Sequence, residues 1–130
     1  MSLMEFVCVG IGGCLGALAR YQIQNLNFMD TEKFYYTVLI NLAGCLLIGV
    51  LWGCFSLWNA PVWLNRFCIA GFLGGFTTYS SFALEGVVLL DAGRYGAMLS
   101  YLSLSVFGGL ALCWFGLWAT RSVAALIAAQ

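Results

Sequence analysis

Charged residues divide this chain into long uncharged stretches. Phe6 to Ala19, Phe34 to Asn65, Phe67 to Leu84 and Tyr95 to Thr120 carry no charge. A helix that crosses a bilayer needs about 20 mostly apolar residues. The second and fourth stretches are long enough outright. The first reaches that length if it starts near Met1 and Arg20 sits at the interface with its head turned toward water. The third reaches it by taking in Glu85. The pattern predicts helices at 3–24, 35–57, 63–90 and 95–126, filling residues 1–130 as a single four-helix transmembrane domain. The connection 25–34, "NLNFMDTEKF", is the most polar stretch and holds Asp30, Glu32 and Lys33. Pro61 lies in a loop flanked by Trp58 and Trp63, as expected at a headgroup boundary. "DAGR" at 91–94 reads as a tight turn. Met1 to Glu5 lacks a positive start, so no cleaved signal peptide is expected.

Composition sharpens this to an integral membrane protein. Hydrophobic residues make up 63% of the chain and charged ones 8%, against about 25% charged in soluble domains. The net charge is +0, and no basic patch invites nucleic acid. The six cysteines lie inside apolar runs without CxxC spacing, and the chain has no histidine. Zinc and haem therefore have no ligand set, and the cysteines read as small packing residues. Without histidine no nucleophile–base pair is available, so an enzyme is not expected.

Alternating helices place Arg20, Lys33 and Arg94 on one side of the membrane and Arg66 and Arg121 on the other. With the charges so nearly balanced, the positive-inside rule favours neither direction of insertion. Insertion in both directions, with the two orientations paired as an antiparallel dimer, is one outcome; a single orientation set by a weak cue is the other. Gly12 and Gly16, Gly49 and Gly53, and Gly71 and Gly75 are each four apart, a spacing that lets helices approach closely. It points toward assembly, with some of the pairs serving packing within one subunit.

Polar groups in hydrocarbon need reasons. Thr37 and Asn41 share one face of helix 2; the Asn41 amide offers two donors or forms an interhelical bond. Tyr101 and Ser105 share a helix-4 face, where a hydroxyl can also bond back to its own helix. Within "GFLGGFTTYSSF" at 71–82, Gly74 and Gly75 weaken a helix and four Ser or Thr hydroxyls follow. Together they predict that helix 3 is broken mid-membrane. Such a break belongs where protein buries it or a polar path runs beside it, and its freed carbonyls are ready ion ligands. Tyr79 and Phe82 point the same way, and ring edges carry positive quadrupole suited to a small anion. Thr78, Ser81 and Glu85 form another stripe, with Glu85 bonding Ser81, lining a vestibule or sitting at the interface.

Three segments, "GGCLGALARY" at 12–21, "TVLINLAGCLLIG" at 37–49 and "GFLGGFTTYSSF" at 71–82, resemble the Fluc (CrcB) family of fluoride channels. The resemblance covers essentially the whole chain, and the third segment is the specific one. It implies an all-α membrane protein of four transmembrane helices, assembled as an antiparallel dual-topology homodimer in the cell's inner (plasma) membrane. It implies two pores per dimer and passive fluoride export that protects against fluoride toxicity. It implies a structural sodium ion at the dimer interface, held by the backbone carbonyls of Gly74 and Thr77. The pore positions of the family fall on Asn41, Tyr79, Phe82, Ser81, Thr37, Tyr101 and Ser105, with Arg20 and Glu85 at vestibule or gate positions. Tyr79 stands where the family usually has phenylalanine, and Gly109 where it has a third hydroxyl on the helix-4 track. Close donors suit fluoride, which is small and strongly hydrated.

A small multidrug-type, proton-coupled exporter shares the four-helix layout. It wants a carboxylate embedded in the first helix, where this chain has only Glu5 at the very start. A structural subunit without transport would explain the glycine spacing but not the polar break.

Overall fold

The computed structural model describes residues 2–26 and 32–129. Asp30, counted above in the polar connection, lies outside the described residues. Helix α1 spans Leu3–Asn25 and starts on a capping box: Ser2 accepts from the Glu5 amide and Glu5 reaches back to Ser2. Helix α2 spans Phe34–Trp58 and stops at Asn59, whose left-handed φ of 49° turns the chain. The third span, Val62–Asp91, is two helices. Helix α3 covers 62–76, with π-type hydrogen bonding over Arg66–Leu73, and α4 covers Tyr79–Asp91. Helix α5 spans Tyr95–Ala128 with a second π-type stretch at Leu104–Gly108. All four spans are long and apolar enough to cross a membrane.

The turn after α4 contains Gly93 at φ 68°, a conformation glycine adopts without strain. Beside it Arg94 donates from Nη1 to both oxygens of Glu32, at 2.8 and 2.7 Å. These bonds hold the Arg94 guanidinium above its ordinary pKa.

Packing follows a spacing that neighbours in sequence do not share. Helix α1 lies along α3, and α2 lies along α5. A Cβ on Gly12, Gly16 or Gly75 would strike the carbonyl oxygens of Phe67, Phe72 and Gly13 respectively. A Cβ on Gly71 would meet the Val9 oxygen at 2.9 Å, and one on Gly116 the Leu46 oxygen at 2.6 Å. Gly49 faces the Cys113 carbonyl, and Gly53 faces Thr120. The glycine pairs are thus taken up inside the subunit, because backbone-to-backbone contact is what holds apolar helices together in an apolar solvent.

The break of the third span lies at Thr77 and Thr78, both extended (φ/ψ −79°/158° and −145°/117°). Gly74 and Gly75 remain helical. Gly75 is small because α1 presses on it, and the interruption itself comes from the hydroxyl residues. Thr77 turns both its amide (3.0 Å) and its hydroxyl (2.9 Å) onto the Leu73 carbonyl, and Thr78 becomes the N-cap of α4.

Candidate functional site

The site is built around the peptide of Thr78. The Asn41 side chain on α2 pairs with it in both directions. Oδ1 accepts from the Thr78 amide at 2.8 Å, and Nδ2 donates to the Thr78 carbonyl at 3.0 Å. The Thr78 hydroxyl accepts from the Ser81 amide (3.2 Å) and donates to the Ser81 hydroxyl (3.0 Å). A break that would otherwise expose backbone to hydrocarbon is therefore stitched on both sides.

The stitching takes carbonyls on the α3 side away from their helical donors. In a continuous helix the Gly74 oxygen would accept from the Thr78 amide, which here goes to Asn41. The next oxygen, on Gly75, accepts from Arg20 Nε at 3.2 Å. Arg20 thus turns to the negative end of a half-helix, where a cation is favoured, instead of reaching for the headgroups.

A cavity of about 380 Å³ opens beside the break. Asn41, Thr77, Tyr79, Phe82 and Ser105 face it, together with Gly74. The Ser105 hydroxyl is buried and, among the described side chains, is the buried polar atom without a partner. It stands in the π-type stretch of α5, a distortion that commonly marks functional sites. The rings of Tyr79 and Phe82 lie 5.8 Å apart between centroids, and Phe82 lies 5.3 Å from Tyr101. Tyr79 is 81% exposed in the single subunit.

Glu85 holds the other half of the polar groups. Its Oε1 accepts from the Thr37 hydroxyl at 2.9 Å and its Oε2 from the Tyr101 hydroxyl at 2.7 Å. Thr37 is fully buried and Tyr101 nearly so. The residues picked out in sequence therefore fall into two groups. Asn41, Tyr79, Phe82, Ser105, Gly74 and Thr77 meet at the cavity. Thr37 and Tyr101 meet at Glu85, about two turns further along α4 from Thr78. Ser81 bonds Thr78, not Glu85. Sequence reasoning missed the carboxylate's role as the hub for Thr37 and Tyr101, although a lone acid in an apolar run was the signal. It also missed Cys45, which lines the cavity.

Residues 7–117 match the family model described as "CrcB-like protein, Camphor Resistance (CrcB)". The chain belongs to the CrcB family. Its CrcB relatives include proteins described as "Fluoride-specific ion channel FluC". The one from Azotobacter vinelandii (strain DJ / ATCC BAA-1303) is 44% identical over 118 residues, 88% of this chain and 95% of the relative. The one from Pseudomonas putida (strain F1) is 45% identical over 116 residues, 87% and 94% of the two chains. The one from Pseudomonas fluorescens (strain Pf0-1) is 42% identical over 118 residues, again 88% and 95%. The CrcB match takes in the break, the Asn41 clamp and the Glu85 hub, and ends before the last turns of α5.

Proposed function

We propose that this protein is a fluoride-selective channel of the inner membrane, passing fluoride down its gradient. The observation that carries the reading is Ser105, its buried hydroxyl unpaired, lining a cavity beside a broken, Asn41-braced helix. A neutral donor waiting in a small space suits an ion that must shed tightly held water. The ring edges of Tyr79 and Phe82 add positive potential without a full charge that would trap the anion. The names of the relatives support fluoride as that anion.

Two subunits inserted in opposite directions form the working unit in this reading, with two pores. The cavity is open on the subunit's surface and Tyr79 is exposed there, which supports a partner completing it. The Gly74 carbonyl, relieved of its helical donor, and that of Thr77 fit a sodium ion between the subunits: hard oxygen donors without charge at the negative end of α3. Sodium would supply a fixed positive charge at the break; this chain's part is to present the oxygens. Arg20 bonds the carbonyl between them in sequence and fixes the end of α3.

Glu85 acts as a gate. As long as it holds Thr37 and Tyr101, those donors are closed to fluoride. Rotation of the carboxylate away frees both hydroxyls and removes a like charge from the path. The multidrug-type exporter has less support, because Glu85 is in the third span and is already satisfied by two hydroxyls.

The test is ion efflux from liposomes that carry the purified protein. Rapid fluoride loss without chloride loss, and without a proton gradient, is expected. Proton movement driven by a hydrophobic cation, with no fluoride flux, would overturn the reading.

A further inference from the structure

We propose a second binding site, for the acyl chain of an anionic phospholipid, at the opposite end of α2 and α5 from the Glu32–Arg94 pair. A groove of about 610 Å³ runs between the last turns of these helices. Val50, Cys54 and Trp58 form one wall, and Thr120, Ala124 and Ile127 the other. The two helices touch at Gly53 and Thr120, and beyond that contact the walls are apolar. Thr120 adds no polarity, since its hydroxyl donates to the Gly116 carbonyl of its own helix at 2.8 Å.

The occupant is argued from charge. Arg121 stands three residues before Ala124 and seven before Ala128, both groove residues, so it rises from the same helix stripe. Arg20, Arg66 and Arg94 each have a partner: the Gly75 carbonyl, Glu5 and Glu32. Arg121 is exposed and has none among the described residues. Trp58 in the groove wall marks the headgroup boundary, the depth at which an arginine meets a phosphate. Apolar burial alone cannot select a lipid, because a chain leaving bilayer for groove exchanges one hydrocarbon for another. Selection must come from the headgroup, and an unpaired guanidinium selects an anionic one. The α5 wall lies past residue 117, where the family match ends, and the α2 wall lies within it.

The experiment is electron spin resonance on proteoliposomes doped with chain-labelled phosphatidylglycerol or phosphatidylcholine. The full chain is expected to immobilise phosphatidylglycerol about 5-fold over phosphatidylcholine, the equivalent of about 1 kcal/mol for one basic side chain at the surface. Arg121→Gln should bring the two lipids to parity. Ala124→Trp, which fills the groove, should lower the immobilised fraction of both. Equal binding of the two lipids to the unaltered protein would overturn the proposal, as would a preference that survives Arg121→Gln. A groove closed to labelled lipid, with Ala124→Trp weakening self-association instead, would put a second copy there and also overturn it. Arg121 is exposed, so its variant decides the matter even if Ala124→Trp fails to fold.

Discussion

Replacing Asn41 with Asp separates two things that the amide does at once. Asn41 braces the break with an acceptor (2.8 Å to the Thr78 amide) and a donor (3.0 Å to the Thr78 carbonyl). Aspartate keeps the acceptor and loses the donor. The Thr78 carbonyl then faces a second oxygen, and a buried group left unpaired costs about 1–3 kcal/mol. The larger effect falls on the anion. Two like unit charges about 5 Å apart, at an effective dielectric of about 20, repel by about 3 kcal/mol. At about 1.4 kcal/mol per decade, passage slows about 200-fold. The assay is fluoride efflux from proteoliposomes followed with a fluoride electrode, with potassium and valinomycin carrying the balancing charge. Asn41→Leu is the companion variant. It orphans both Thr78 groups without adding charge, so the part of the flux loss that it does not reproduce belongs to the charge and not to the lost brace. If folded Asn41→Asp protein moves fluoride within about threefold of the unaltered rate, less than about 1 kcal/mol of barrier, no anion passes near the amide and the reasoning fails.

Ser105→Ala gives the opposite signature. The hydroxyl has no partner to lose, so melting should move little, while flux falls about 10- to 100-fold if one charge-assisted bond of about 1.5–3 kcal/mol disappears from the path. Unchanged flux would remove Ser105 from the pore. Tyr79→Phe should preserve or raise flux, since the ring edge is kept; a collapse would make the hydroxyl essential. Gly16→Ala should destabilise the fold by about 2–3 kcal/mol in a denaturation assay, because its Cβ strikes the Phe72 carbonyl, which is backbone and cannot step aside.

Much of the architecture was legible because membrane insertion imposes a simple code. Uncharged length alone, over Phe34 to Asn65 and Tyr95 to Thr120, marks the spans found at Phe34–Trp58 and Tyr95–Ala128. The break was legible too, but its cause lies in other residues than the glycines. Gly74 and Gly75 weaken a helix in the abstract, yet both are helical here, and the interruption falls where Thr77 caps the Leu73 carbonyl with its hydroxyl and Thr78 finds a partner outside the helix in Asn41. Glycine spacing suggested association without saying with what. The partners of Gly12, Gly16 and Gly75 are carbonyls within the same chain, and only three-dimensional contact could reveal that. Pair spacing placed Thr37 with Asn41 and Tyr101 with Ser105. It could not show that Glu85 draws one member from each pair to itself, because that link joins residues 48 and 16 positions apart.

The interlocking of α1 with α3 and of α2 with α5 bears on how the chain is made. Spans that follow one another out of the ribosome are not the ones that grip each other. After two helices have entered the bilayer, neither has met the carbonyl ridge its glycines fit. The first finds it when 62–76 arrives, and the second waits for the last span to be synthesised. A truncated product ending at Asp91 would leave Gly49 and Gly53 facing lipid with nothing to close on. One half of the packing can thus close early, while the other is completed only once the chain has been made as far as Thr120.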